Sequence, residues 1–396
     1  MLHRRRFLQS GAALAAAVCV PGWPRLARGA GSDPVLVAVY LRGGADGLNL
    51  VVPADDPQYY ALRPDIQVAP GDEIALDGFF GLNPQLGDLL PLYQDGELAF
   101  VHACGSTDGS RSHFDAQDFM ERAAPGDPAV TDGWLNRTLA VQGVSDSWGG
   151  ISFGAGTALA LQGDNPSLAM TSITDFALIG SPLQRATLES LFTGADPQDL
   201  ERAAGEGFAA LDVIGAVAPG DAGLYPPGPY GAALADAAAL VRADVGVKLV
   251  TVDLGGWDHH EGEVDELAGV GPSLAAGLAA LRSDLGADWQ RTTVLVMTEF
   301  GRTAAQNGSF GTDHGHGTVM LAAGGGVAGG QVITNGGWPG LGAGQLFEGR
   351  DLAVTTDFRD VFAEVLHRHL GVAVGAMAPI LPGHDVQTGN FPGLFG

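Results

Sequence analysis

The chain has few cysteines and few basic residues, and each shortage argues against a class of protein. Of its two cysteines, Cys19 lies in the N-terminal segment and Cys104 ends an apolar run, so we expect no disulfide framework and a buried Cys104 thiol. Lysine and arginine total 20 against 45 aspartates and glutamates, a formal net charge of −25. This charge repels nucleic acid and anionic lipid head groups, so we expect neither as a partner. Anionic substrates would be repelled too, unless bound cations reverse the local field.

The first residues are typical of an export signal. An arginine run, Arg4–Arg6, precedes a short apolar stretch, Ser10–Val20, and small residues around Ala27–Gly31 offer a cleavage point. The stretch is shorter than the roughly 20 residues that a membrane span needs. We predict that residues 1–30 are a twin-arginine signal peptide that the twin-arginine translocase exports, leaving a periplasmic or secreted protein without a stable membrane span. The alternative is an uncleaved anchor.

Residues 31–396 are predicted to form a single α/β domain, because apolar strand patterns alternate with helical ones and nothing marks a domain boundary. We expect a doubly wound, mostly parallel sheet with helices on both faces. We interpret the Ala-, Gly- and Pro-rich stretch Gly205–Pro229 as a connector or a surface excursion. The predicted strands are Val35–Leu41, Leu98–Cys104, Lys248–Asp253 and Thr293–Thr298. The predicted helices are Ser112–Arg122, Pro182–Phe192, Tyr230–Val245, Pro272–Leu285 and Asp357–Leu370.

Two segments, Val250–Glu263 and Thr293–Gly330, concentrate the histidines and acids that can bind metal. Each begins with an apolar β-branched run, typical of a buried parallel strand, and then breaks into a glycine-rich loop. Ligands of open α/β sheets bind at the carboxyl ends of strands. We therefore predict that both loops meet at one edge of the sheet, and that the loop after the first strand, which contains Asp46, lies at the same edge. The predicted metal ligands are Asp46, Asp258, His260, Glu299, Asp313, His314 and His316.

The predicted ligands also have simpler interpretations, which the sequence leaves open. Asp46 can merely close a tight turn, Glu299 can pair with Arg302, and the Asp258–His260 loop can be solvated. If they do bind metal, oxygen and imidazole donors without thiolate fit Zn²⁺, Mn²⁺ or iron, and Mg²⁺ or Ca²⁺ where carboxylates dominate.

The segment Arg111-Ser112-His113 lies at the start of a predicted helix. A hydroxyl there is a natural N-cap, but the positive end of the helix dipole also suits an anion or an activated nucleophile. His113 can equally be a metal ligand or an ordinary helix residue. Arg302 or Arg111 would offset charge on a tetrahedral oxyanion, because guanidinium binds such groups in a bidentate way. The catalytic candidates are therefore Ser112, Arg302 and Arg111.

Several separate motifs, in this order, resemble the domain-of-unknown-function family 1501. They are LRGGADGLNLVVP, RSHFDAQDFME, GGWDHH, TEFGRT, DHGHG and TTDFRDVFAEVL, and the resemblance runs from about Val35 to the end of the chain. That family is grouped with the alkaline phosphatase and sulfatase superfamily. The resemblance implies an alkaline phosphatase-like doubly wound fold, commonly two metal ions, a Ser, Thr or modified-Cys nucleophile, and tetrahedral ester substrates.

The superfamily motifs match this chain only in part. Asp46 is similar to the metal-binding Asp after the first strand, and Asp258 and His260 resemble an Asp-and-His pair whose usual spacing is wider. The segment Thr298–Gly301 lies where the superfamily has Asp-His-Gly, so Asp313 and His314 would replace those ligands from the next loop. His316 resembles the last metal-binding histidine. Ser112 is the best-placed nucleophile, and no sulfatase C-x-P-x-R sequence is present.

The sequence thus predicts an exported, metal-dependent hydrolase of phosphate esters, with sulfate esters as the second choice. Divalent ions such as Zn²⁺, Mn²⁺, Ca²⁺ or Mg²⁺ would polarise a small-molecule or polymeric ester, and either Ser112 or an activated water would attack it. The alternative is a non-catalytic envelope protein with a structural metal site, which the altered Glu299-Phe300 position motivates.

Overall fold

A nine-stranded sheet lies at the centre of the chain, in a computed structural model that describes residues 33–178, 180–193 and 198–396. The predicted signal peptide lies outside the described residues. In chain order the strands are β1 (Val35–Arg42), β2 (Val51–Val52), β3 (Ile74–Ala75), β4 (Gly81–Leu82), β5 (Leu98–Gly105), β6 (Gly150–Phe153), β7 (Leu168–Met170), β8 (Leu249–Gly255), β9 (Thr292–Met297), β10 (Thr318–Gly324), β11 (Gln331–Ile333) and β12 (Thr356–Asp357). The strands of the main sheet run in the order β11-β5-β10-β9-β1-β8-β6-β7, with β12 beside β5, while β2, β4 and β3 form a small separate sheet.

The main sheet is mostly parallel, as the sequence predicts. Strand β1 pairs in parallel with both β8 and β9, so that Val39 lies between Val252 and Val296. Strand β10 is the exception, because it runs antiparallel to both β5 and β9. The four strands predicted from apolar runs are all present, with ends that differ from the prediction by at most two residues. As a result, β1, β5, β8 and β9 end at the edge where β10 begins.

Helices cover both faces of this sheet, and the alternation of side chains along β1 shows why. Val37 and Val39 belong to a buried cluster with the helices around Leu234 and Leu278. Ala38 belongs to a second cluster on the opposite face, which contains Trp134, Phe358 and Phe362. A strand buried on both faces has a continuous apolar sequence, and the apolar run Val35–Leu41 predicts such a strand.

All five predicted helices are present, together with helices that were not predicted, and two predictions need correction. The predicted connector Gly205–Pro229 is wrong in its first half, because Ala, Leu and Glu, which are strong helix formers, extend a helix through Gly205 and Gly207 to Ile214. The helix predicted from Pro272 already begins at Glu263. The α-helices are α1 (Gly47–Leu50), α2 (Pro57–Leu62), α3 (Leu90–Gln94), α4 (His113–Glu121), α5 (Trp134–Val141), α6 (Pro182–Phe192), α7 (Gln198–Ile214), α8 (Pro229–Arg242), α9 (Glu263–Leu285) and α10 (Phe358–Glu364), the last continued by a π-helix, Val365–His369.

Helix α9, with the turn that follows it, is long and apolar enough to cross a membrane by length and composition. One face of the helix is nevertheless buried in the first hydrophobic cluster, through Leu267, Leu274, Leu278, Leu281 and Leu285. The helix also packs against α8. This packing is that of a helix in the core of a folded domain.

The central position of β9 yields a test of the fold. Leu295 is fully buried in the cluster that contains Trp134. We expect Leu295→Ala to lower the free energy of unfolding by about 2–5 kcal/mol, because it removes buried methyl groups and leaves a cavity. Leu224 is 59% exposed and provides the matched control, for which we expect little change. Chemical denaturation measures both variants, and equal effects would contradict this description of the core.

Candidate metal site at the carboxyl edge of the sheet

The loops after several strands meet at one edge of the main sheet. Asp258 and His260 follow β8, and His113 begins the helix that follows β5. His314 lies in the loop that leaves β9 and enters β10. Because β10 is antiparallel to β9, this loop leaves and returns at the same edge, which places its second half near the ends of the neighbouring strands.

Three side chains converge closely enough to hold one metal ion. One ligand atom from each of His113, Asp258 and His314 lies within 4.8 Å of the others. Asp258 Oδ1 is 3.4 Å from His113 Nε2 and 3.4 Å from His314 Nε2. These separations are too long for good hydrogen bonds, but two donors on one tetrahedral Zn²⁺ at about 2.0–2.1 Å lie about 3.4 Å apart. The donor set therefore fits a small divalent cation.

The second nitrogen of each histidine in this triad is already fixed. His113 Nδ1 lies 2.8 Å from Glu299 Oε1, and His314 Nδ1 lies 2.7 Å from the carbonyl oxygen of Arg111. Both Nδ1 atoms must donate in these contacts, so in the neutral rings the lone pairs belong to the Nε2 atoms. His113 Nε2 is buried and has no hydrogen-bond partner. Metal-binding histidines commonly hold their other nitrogen in this way.

Glu299, predicted as a ligand, lies behind His113. Its Oε1 also accepts hydrogen bonds from the Gln117 amide at 2.8 Å and from Gly43 N at 3.0 Å, while Oε2 accepts from Thr298 Oγ1 at 3.0 Å. Burial opposes ionisation of this carboxyl group, but the hydrogen bonds outweigh it and lower the Glu299 pKa. The hydrogen bond between His113 Nδ1 and Glu299 raises the pKa of His113. In this arrangement Glu299 orients the His113 ring.

Arg302 is buried and fully engaged by protein atoms. Its Nη2 donates to Asp258 Oδ1 at 2.6 Å, and its Nε donates to the Gly44 carbonyl at 2.6 Å. The Gly43, Trp257 and Thr312 carbonyl oxygens accept further hydrogen bonds from the guanidinium. Arg302 therefore pairs with Asp258 and does not pair with Glu299, and all of its described contacts are internal. Although burial opposes it, the Arg302 contact lowers the pKa of Asp258.

His260, predicted as a metal ligand, lies beside the triad. Its Nε2 is 2.8 Å from His314 Nε2 and 3.0 Å from Asp258 Oδ1, and its Nδ1 is 3.4 Å from Asp313 Oδ1. Because His314 Nε2 carries a lone pair, His260 Nε2 is the donor between the two rings. His260 can thus serve as a fourth ligand or as a proton donor at the triad. Asp313 is more exposed and contacts the outer side of His260.

Asp46 lies in a separate, buried ion-pair cluster. It caps α1 by accepting from Leu48 N and forms an ion pair with Arg63, whose side chain is fully buried. Glu263 joins this cluster, and burial followed by the Asp46 charge raises its pKa well above the usual value. Among the described residues, the closest group of potential ligands does not include Asp46. The hydrogen bond from Leu48 N to Asp46 agrees with the alternative interpretation, in which Asp46 closes a tight turn.

His316 and Arg111 flank the triad without joining it. The His316 ring stacks on Phe347 with centroids 4.2 Å apart, and it lines a cavity of about 10 Å³ together with Glu299 and Phe300. Burial lowers the pKa of His316. The Arg111 side chain pairs with the buried Asp351 and with the exposed Glu348, while its carbonyl oxygen accepts a hydrogen bond from His314.

Ser112 is the N-cap of α4 and immediately precedes His113. Its Oγ accepts from Asp115 N at 3.5 Å, a long contact that leaves the hydroxyl weakly held. Both the capping role and a chemical role are therefore compatible with its position.

Cys104 is a buried free thiol, as predicted. His102, a residue without an assigned role, is buried with both ring nitrogens engaged, and burial lowers its pKa to about 4.

Comparison with known families agrees with the resemblance noted in the sequence. The model of a family described as "Protein of unknown function (DUF1501)" matches residues 216–380. The matched segment includes Asp258, Glu299 and His314. It begins after His113, which therefore lies outside it. This match supports the DUF1501 assignment. A search of curated proteins found no match.

The contact between Glu299 and His113 can be tested by metal affinity. We expect Glu299→Gln to weaken binding of a divalent cation about 10–100-fold, because it removes the anionic acceptor that orients His113. Glu364→Gln is the matched control, since Glu364 is also buried and accepts backbone hydrogen bonds, from Gly393 N and Phe395 N. Competition with a chelator measures both affinities. Unchanged affinity in Glu299→Gln would show that Glu299 does not support a metal ligand.

Proposed function

We propose that the protein is a metal-dependent hydrolase of phosphate esters, with sulfate esters as the second choice. The observation that carries this proposal is the partly exposed triad of His113, Asp258 and His314, whose histidines present their Nε2 atoms toward one carboxylate. A divalent cation bound there would polarise a tetrahedral ester and lower the pKa of a coordinated water.

The exposure of the site favours catalysis over a structural role. Structural zinc sites are filled by four protein ligands, whereas catalytic sites keep a position for water or substrate. The Asp258 side chain is 48% exposed and that of His260 is 39% exposed, so the site is accessible from solvent. The alternative function, a non-catalytic envelope protein with a structural metal, would require a closed site.

The charges around the triad favour an anionic substrate despite the acidity of the whole chain. The two triad histidines are neutral when they ligate through Nε2, and the Asp258 carboxylate is already paired with Arg302. A bound dication would therefore keep most of its charge. This local positive charge is what an anionic ester needs on an otherwise repulsive surface.

Ser112 can supply the nucleophile, and His260 can hold a proton beside the triad. Ser112 adjoins the ligand His113 at a helix N-terminus, and its hydroxyl has only a long contact with Asp115 N. His260 Nε2 lies 2.8 Å from His314 Nε2 and can hold a proton next to the triad. The nucleophile is accordingly either Ser112 or a water that the cation activates.

The same proposal includes membership of the alkaline phosphatase and sulfatase superfamily and the corresponding fold. The DUF1501 match, the mostly parallel sheet and the position of the triad at the carboxyl edge support this assignment. At two positions this chain departs from the metal-binding pattern of the superfamily, so those two residues are not assigned as ligands. Asp46 is engaged by Arg63, and Glu299 occupies the position behind His113, so we assign one ion to the triad.

Two variants distinguish the enzyme from the structural alternative. We expect His314→Ala to lose metal and esterase activity together, because it removes one of three converging ligands. We expect Ser112→Ala to keep metal and fold, with a loss of at most about 0.5–2 kcal/mol as a cap, and to abolish turnover if Ser112 is the nucleophile. Metal content and hydrolysis of aryl phosphate monoesters, diesters and aryl sulfates are measured on protein purified without chelator.

The control is His367→Ala, because His367 hydrogen-bonds to the Val372 carbonyl and lies outside the triad. It should retain both metal and activity. Turnover that survives in Ser112→Ala assigns the attack to water. Wild-type protein that binds metal but hydrolyses none of these esters would instead support the structural alternative.

We also propose export by the twin-arginine route, which rests on the arginine run before a short apolar stretch. Replacement of both Arg4 and Arg5 by Lys should leave precursor in the cytoplasm, because the translocase reads the arginine pair. Cell fractionation and N-terminal sequencing of the exported protein measure the outcome. Export that is unaffected by the double substitution would remove this assignment.

A further inference from the structure

A cavity of about 360 Å³ opens beside the candidate metal site. It lies at the carboxyl ends of β1, β6 and β8 and is bounded by α4 and by the loop Gly154–Gly156. Ligands of open α/β sheets bind at this edge. Gln117 forms the wall between the cavity and the triad, because its amide nitrogen donates to Glu299, the residue that holds His113.

The hydrogen-bond donors that line the cavity are largely used by the protein itself. Arg42 Nη1 donates to Glu121 at 2.5 Å and to Gln117 Oε1 at 3.3 Å, and its Nη2 donates to Asp253 Oδ1 at 3.0 Å. The Ser152 hydroxyl accepts from Ala158 N and bonds to the Thr251 hydroxyl, each at 2.9 Å. An anionic ligand would therefore meet donors that are already engaged.

The charges of the lining point to a cationic ligand. One guanidinium, Arg42, faces two carboxylates, Glu121 and Asp253, which leaves an excess of one negative charge. Glu121 is buried, whereas the Asp253 side chain is 50% exposed and Asp253 lines the cavity. The net charge of −25 on the chain adds attraction for cations. Because Arg42 bonds to both carboxylates, a metal ion cannot readily bind between them.

We propose that this cavity binds an alkylammonium group, with Asp253 as the anionic partner. An ammonium supplies the positive charge and the hydrogen-bond donors that the lining lacks, and charge-assisted hydrogen bonds to a carboxylate are the strong ones. A cavity of this volume also accommodates the carbon substituents of such a cation. The proposal does not depend on metal binding or on ester hydrolysis.

The test is binding of small cations to the full chain as purified, by isothermal titration calorimetry at about 0.15 M salt, where long-range attraction between exposed charges is screened. The probes are two primary ammonium ions, those of ethanolamine and n-propylamine, compared with neutral glycerol. We expect the two cations to bind and glycerol not to bind. Asp253→Asn should weaken cation binding by about tenfold or more, because the carboxylate charge is lost while the shape is kept.

The matched control is Asp265→Asn, which removes an exposed carboxylate from the first turn of α9, outside the cavity lining. It should leave cation binding unchanged. Equal weakening by the two substitutions would mean that the cations bind only to the general acidity of the surface. Absence of cation binding, or binding of glycerol in preference to the cations, would also overturn the proposal. None of these outcomes bears on metal content or esterase activity.

Discussion

The buried guanidinium of Arg302 holds together the loops on which the candidate site depends. It donates to the Gly43 and Gly44 carbonyls after β1, to Trp257 and Asp258 after β8, and to Thr312 in the loop before β10. A buried charge is costly unless it is paired and fully hydrogen-bonded, and these contacts satisfy that condition. The position of the Asp258 carboxylate is therefore a consequence of the same bonds that join three loops.

The direction of one strand decides which residues can meet. If β10 ran parallel to β9, the loop between them would have to cross to the opposite edge of the sheet. Since β10 is antiparallel, the segment around His314 stays at the carboxyl edge and pairs with the segment around Arg302, where Gly301 N donates to the His316 carbonyl at 2.9 Å. A side chain on Gly301 would collide with the Gly317 carbonyl, so this close pairing requires glycine.

The candidate metal site and the neighbouring cavity share a wall but differ in chemistry. On one side, Glu299 fixes His113 so that an imidazole nitrogen presents its lone pair toward Asp258. On the other side, Arg42 is saturated by Glu121 and Asp253, which leaves an acceptor-rich surface. Gln117 links the two by donating to Glu299 and accepting from Arg42.

The sequence alone predicts four strands of the main sheet, its mostly parallel order and the proximity of Asp258, His260 and His314, because apolar runs followed by glycine-rich loops carry that information locally. It left His113 open between ligand and ordinary helix residue, and it placed Asp46 with the ligands. Tertiary structure alone brings His113, which is 145 residues before Asp258 in the chain, to that carboxylate, and it pairs Asp46 with Arg63. Partner choice among buried charges depends on which groups are desolvated together, and no local pattern of residues encodes that.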